Sequence, residues 1–451
     1  MTERLPAIEI EPSQNATEAC ARFLDDLRGW IFDCMEKYSA VPPSDGHDQL
    51  TYTTAWEPFL CRTADGKALR FLEDARDAVA EHFTRKDLWR HGYWRMQEAH
   101  HGTEHFELFL GFMARVMPDN AATRRQLLDA SEHLGNWSAA VPPWFDYAEG
   151  LYYALYFGAD GVRADGGLGL NMPDHLRCGN LLLLAFSQSP ERKYLELAAD
   201  YGRCWAEAIV ADDNRLPIGL TPAGPLYDLH GPAEQVYRSF AGMAGLLNDD
   251  LDRAENILAS GGIQFFLGLW RHTGDVVFLR AVERLLNILT GALTDPDAGP
   301  AAAAIGDYRR VTGKRDYDAA VMQALGQLSP ANISALSMDA TIRRRGRPPG
   351  IGKRADMPQW LEDGQPRRLN PILAALAAEI TGDLDLAARA LDLGRAYFRL
   401  AMTCLPDGRE HGCAAGTVSA VARGHGRDNN AGVTTAVLLP LLRFFRLDPP
   451  G

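Results

Sequence analysis

The chain has 451 residues, 46% apolar and 23% charged, a balance that excludes disordered and fibrous classes and permits a large buried core. Lys and Arg number 46 against 59 Asp and Glu, giving a net charge of −13 and a pI near 5.4. This argues against a general nucleic-acid binder, which shows a basic face.

The opening MTERLPAIEIEPSQNATEA carries charges and no apolar signal core, and no stretch reaches the ~18 uninterrupted apolar residues of a membrane helix. A cytoplasmic protein without a membrane partner is expected. Cysteines at 20, 34, 61, 178, 204, 404 and 413 lack CxxC spacing, which fits a reducing compartment and argues against cysteine-bound zinc.

In chain order, residues 1–48 read as a helical extension. Six apolar helices follow, each paired with an amphipathic one across a short turn: TTAWEPFLCR with ADGKALRFLEDARDAV, EHFELFLGFMARVM with PDNAATRRQLLDASEHL, PDHLRCGNLLLLAFS with SPERKYLELAADYGRCW, GGIQFFLGLWRH with TGDVVFLRAVERLLNIL, AAAAIGDYRRV with TGKRDYDAAVMQALGQL, and LNPILAALAAEI with TGDLDLAARALDLGRAYF. The first member of each pair is the more apolar and small-residue-rich, as expected if it is surrounded. The second is charged on one face and so outside.

Connections between pairs are long, at 84–103, 138–173, 206–259, 328–368 and 404–428, and short helices are expected within them. Such loops gather at one end and are where function concentrates. An open solenoid would share the hairpins, but solenoid repeats keep a regular period. The expectation is an all-α, closed (α/α)6 toroid, one domain over residues 1–451.

On these hairpins, from Leu50 to Leu447, and on the TGD turns at 273–275 and 381–383, the chain resembles the six-hairpin toroid carbohydrate enzymes. That group includes glycoside hydrolases, sugar epimerases and the helical domains of heparinase-like and alginate-lyase-like enzymes. Gly135-Asn136-Trp137 resembles a GNW motif of the heparinase-like lyases, while their Asn-rich catalytic phrase has no clear counterpart. The resemblance implies an active cleft where the inner helices begin.

The candidate residues cluster at those entrances. In Gln97–His105, Thr103 is placed to cap a helix, with His101, Glu104 and His105 as catalytic or sugar-contacting groups, because imidazole titrates near neutrality. His101 and His105 have metal-ligand spacing, but Gly102 and Thr103 interrupt it and no third ligand follows, so no metal is expected. Asp174, His175, Arg177 and Asn180 precede an apolar run where buried polar groups need partners or a ligand.

Trp144, Asp146 and Tyr147 combine aromatic faces with a carboxylate, suited to a sugar. The alternative for WFDYAEGLYYALYFG is a short amphipathic helix packing Tyr152, Tyr153 and Tyr156 inward. Arg253 and Glu255 are candidates for a clamp and a catalytic carboxylate, and the acidic run before them lacks the glycine and final Glu of a calcium loop. Residues 342–368 carry eight basic against three acidic side chains, a local +5 suited to anionic substrates or to a solvated loop. His425, Arg427 and Asn430 precede the last apolar helix.

These residues point to an enzyme cleaving an oligosaccharide or polysaccharide. Hydrolysis needs two carboxylates flanking the bond. Elimination from a uronate needs an imidazole or phenol base and an Arg or Asn beside the developing charge. The surplus of His, Tyr, Arg and Asn favours elimination, without a cofactor, since no phosphate-binding glycine loop is present. Trp144, Tyr147, His175 and Arg177 are expected at one cavity. A non-catalytic helical scaffold is the rival class, and the test between them is whether His101, His105, His175 and His425 converge.

Overall fold

The computed structural model describes residues 8–211, 215–228, 249–294, 299–328, 335–338, 360–361, 371–404 and 439–447. The six expected hairpins form as Glu57–Thr63 with Gly66–Arg85, the helix of residues 99–116 with Ala121–Leu134, Leu176–Gln188 with Arg192–Ala211, Gly262–Thr273 with Val276–Thr290, Gly299–Thr312 with Asp318–Gln327, and Pro371–Thr381 with Leu384–Cys404.

The recurring Thr-Gly turn has a physical basis. Thr273 and Thr381 donate their hydroxyls back to Leu269 and Ala377, and accept from the amides of Asp275 and Asp383. Gly274 and Gly382 then reverse the chain at φ 72° and 73°, a region that favours glycine. Asp275 and Asp383 cap the next helix by accepting from Val277 and from Asp385 and Leu386.

The first helix of each pair lies inside. Residues 371–378 are buried on every side, whereas the outer helices alternate buried and exposed positions, with Val276 and Leu384 exposed at their starts. Inner helices touch closely: a Cβ on Gly179 would meet the Phe265 ring at 2.3 Å.

Helix Ala16–Ser39 closes the ring, since Asp26 binds Arg395 at 2.6 Å and Phe23 and Trp30 meet Phe398, while Trp30 also meets Tyr52 and Trp56 in the short turn that leads into the first hairpin. Inside, the helix of residues 439–447 spans the same seam, with Arg443 paired to Glu379 and Phe445 beneath the Arg62 guanidinium. The architecture is an all-α toroid. No helix among the described residues is long and apolar enough to cross a membrane.

The connections differ from expectation. WFDYAEGLYYALYFG is not a helix. Phe145–Asp146 pairs with Leu151–Tyr152, and Tyr156–Gly158 joins Gln97–Glu98 and Gly161–Arg163 in a three-stranded sheet. Aromatic residues favour the strands, and Gly150 and Gly161, at φ 68° and 118°, make turns that a helix would not permit.

Candidate active site

Inner helices of the second, third and fourth hairpins begin at the same end. Asn180 donates to the Gly261 carbonyl, Arg177 to the Ala259 carbonyl, and Ser260 to Asp174 at 3.4 Å. The inner helix of the second hairpin is capped not by Thr103 but by Glu98, whose Oε1 accepts from the amides of His100 and His101. Thr103 lies within the helix and donates to Ala99. His105–Leu110 forms a π turn, a distortion frequent at functional sites. Glu107, on that turn, pairs with buried Arg177 at 2.9 Å.

At the centre lies Glu104. Its Oε2 is 2.6 Å from His47 Nδ1 and its Oε1 is 2.9 Å from His100 Nε2. The other nitrogen of His100 is 3.5 Å from Asp174, so one imidazole stands between two carboxylates. His101 stacks on His47 with ring centres 4.1 Å apart. The imidazoles are the more exposed members, with side-chain exposures of 22% for His47 and 12% for His100, against 5% for Glu104 and 0% for Asp174.

The cluster separates the protonation states of its members. Burial works against charge on His100 and His47, but Glu104 outweighs it. The His100 pKa is raised to about 10, and that of His47 also rises. Burial would raise the Glu104 carboxyl, yet His100 and His47 hold it well below the usual range. Burial, then the neighbouring charges of His47 and His100, lower His101 to about 3, so its ring is neutral at physiological pH.

His47, Asp48 and Glu104 offer ligand atoms within 4.8 Å of one another, a nitrogen and oxygen set compatible with a cation. The 2.6 Å contact of His47 with Glu104 is shorter than the ~3 Å between neighbouring ligands on a zinc-sized ion, so these two atoms share a proton as placed.

Several expected residues lie elsewhere. His105 packs among Phe83, Trp89, Phe106 and Phe109, where burial lowers its pKa to about 3. His175 is fully buried and spends both nitrogens on the backbone at Met172 and Ala154. Trp144 is a core residue that packs on Tyr93 and Phe157 and donates to Gly158. Asp146 shapes its own turn by accepting from Ala148. Tyr147 is exposed and donates to Gly135.

Arg253 fastens the 215–228 segment by donating to Leu216 and Tyr227, and Glu255 is half-buried two residues on. Trp144, Tyr147, His175 and Arg177 therefore do not share a cavity, and His101, His105 and His175 do not converge, so the convergence expected of an enzyme fails for that set; the imidazoles that do converge are His47, His100 and His101, around Glu104. His425, Arg427, Asn430 and most of the 342–368 segment fall outside the described residues.

The structure brings together His101, Glu104 and Asp174 from the expected set, with Arg177 behind them, and adds His47, Asp48, Glu98 and His100. A separate cavity of about 860 Å3 lies between Ala16–Ser39 and Gly66–Arg85, lined by Phe32, Met35, Tyr38 and Phe71. It contains none of these groups.

No family model and no curated protein matches the sequence. Among solved structures, the chain is similar to unsaturated glucuronyl hydrolase from Bacillus sp. GL1, with 15% identity, coverage of 95% of this chain and 97% of that one, and a TM-score of 0.46. It is also similar to cellobiose 2-epimerase from Bacillus thermoamylovorans, with 11% identity, coverage of 61% and 88%, and a TM-score of 0.35.

Proposed function

We propose that the chain is a carbohydrate-active enzyme that cleaves uronate-containing oligosaccharides by β-elimination. The observation that carries this reading is the order of groups at the site. The imidazoles of His47 and His100 are the more exposed groups, and the carboxylates Glu104 and Asp174 the more buried. A ligand entering there meets proton-transfer groups before it meets a carboxylate. The sugar class rests on analogy with other helical toroids, and the acidic sugar on the two cationic imidazoles.

His101 is the base, since its ring is the neutral one of the three. It takes the proton from the carbon next to the uronate carboxylate, the bond to the leaving oxygen breaks, a carbon–carbon double bond forms, and His47 returns a proton to that oxygen. A uronate carboxylate set against His47 and His100 offsets their charge, which lifts the basicity of His101 as substrate binds. The same contacts stabilise the developing enolate-like charge. No redox or group-transfer cofactor is needed to balance this step.

One observation favours hydrolysis as a second reading: Glu104 and Asp174 stand on opposite sides of His100, an arrangement in which a rotated imidazole would leave a carboxylate pair. Incubation with a panel of acidic oligosaccharides followed by mass spectrometry separates the two. Elimination yields an unsaturated uronyl product with ultraviolet absorbance; a saturated product heavier by one water would replace the elimination reading with the hydrolytic one.

A further inference from the structure

The small sheet beside the site carries a row of side chains that proton transfer leaves unused. Glu98 pairs with Tyr156, and Tyr156 with Arg163, across three antiparallel strands. Paired positions share a face of a sheet, so the three side chains lie in line. Phe157, next along the middle strand, turns the other way and packs on Trp144. The row runs outward from buried Glu98, which holds the amides of His100 and His101, through half-buried Tyr156 to exposed Arg163.

The Arg163 guanidinium lies over the Tyr156 ring, 4.4 Å from its centre. Nearby Arg90 and Arg95 are paired with Asp87 and Asp160, whereas no ion pair of Arg163 is found among the described residues. A guanidinium stacked on an aromatic face is held in orientation and partly dehydrated, with its N–H edges free to take a carboxylate by paired hydrogen bonds.

We propose that Arg163, held on Tyr156, is a substrate-specificity residue that takes the carboxylate of a second acidic sugar unit. The proposal rests on the reading of the substrate as an acidic oligosaccharide. Two strand spacings, about 10 Å, separate the ends of the row, so this unit is beyond the one that meets His101. The exposed end of the row requires no rearrangement of the core to receive it.

The test compares the wild type with R163Q and R163K, using (1→4)-linked hexuronate disaccharides and tetrasaccharides as free acids and as methyl esters, by calorimetry and steady-state kinetics. The free-acid tetrasaccharide should bind R163Q about tenfold more weakly, with KM raised alike and kcat unchanged, and R163K should recover part of the loss. The free-acid disaccharide, whose second unit also carries a carboxylate, should show the same direction of loss, whereas the methyl esters should not distinguish the proteins. Equal tetrasaccharide binding by wild type and R163Q, with cleavage by the wild type, overturns the role of Arg163 and leaves the proposed activity standing. Failure of the wild type to bind any acidic member overturns the substrate reading and this role with it.

Discussion

His101 and His105 are four residues apart, both have a pKa lowered to about 3, and they do different work. His105 is neutral because aromatic rings exclude water around it; His101 is neutral also because His47 and His100 beside it are charged. Replacing His101 with Ala should reduce kcat by at least about a hundredfold, the usual scale for general acid–base catalysis, with little change in substrate affinity by calorimetry. His105 and His100 also set a pH profile for stability. A histidine whose folded pKa lies below its unfolded value contributes stability above about pH 6.5 that is lost as pH falls toward the folded value. His105 therefore weakens the fold between about pH 6.5 and 3. His100, raised to about 10, contributes stability below pH 6.5 that is lost as pH rises toward 10. Urea unfolding across this range should show H105Q with a shallower acid limb and H100Q with a shallower alkaline limb, each by up to ~1.4 kcal/mol per pH unit. Unchanged slopes would contradict the assigned protonation states. At this scale the sequence pointed to His101, Glu104 and Asp174, which the fold brings into one cluster, because they stand at helix entrances. It did not reveal His47, which lies in the connection before the first hairpin and reaches the site only through the folded chain. His175 misled for a related reason: polar residues at a surrounded helix start also serve the backbone of the neighbouring loop.

The helical hairpins were legible because their turns are written locally, most fully at 273–275 and 381–383, where a threonine hydroxyl that folds back, a glycine at positive φ and an aspartate cap act within five residues. The strands at residues 145–163 were not, because their pairing partners include Gln97–Glu98, some sixty residues away, and no local pattern records that contact. The inner helices add a constraint that the sequence shows only as a missing side chain. On Leu176–Gln188, Gly179 lets the Phe265 ring of the next inner helix approach where a Cβ would stand at 2.3 Å. The glycine costs helix propensity, and close packing recovers it. Gly179→Ala should therefore destabilise the protein by about 1–3 kcal/mol through overpacking, in spite of alanine's higher helix propensity. Gly326, in Asp318–Gln327, has open space around its missing Cβ, so Gly326→Ala should be neutral or stabilising by up to about 1 kcal/mol. The urea midpoints of the two variants should move in opposite directions or, at the least, only that of Gly179→Ala should fall.

A ring of hairpins must be closed somewhere, and in this molecule the closure joins segments far apart in sequence. Asp392 accepts from both the amide and the hydroxyl of Ser13, at 2.7 and 2.6 Å, and Arg395 binds Asp26. Helix Ala16–Ser39 is thereby held between the sixth hairpin and the first, and His47 follows it in the chain. The closure thus bears on the site, because the segment it anchors delivers the imidazole that meets Glu104. Asp392 is buried, and its removal leaves the Ser13 amide without that acceptor, a loss of about 1–3 kcal/mol. The damage should be local before it is global, since the third and fourth hairpins make none of these contacts. In Asp392→Ala, hydrogen exchange should accelerate across residues 16–39 while Leu176–Gln188 keeps its protection. If the proposed chemistry holds, kcat should fall with it, because His47 loses its fixed distance from Glu104. Uniform acceleration throughout the molecule would instead show that the seam opens only with the whole ring, and unchanged exchange would show that the aromatic contacts of Phe23 and Trp30 close it without Asp392.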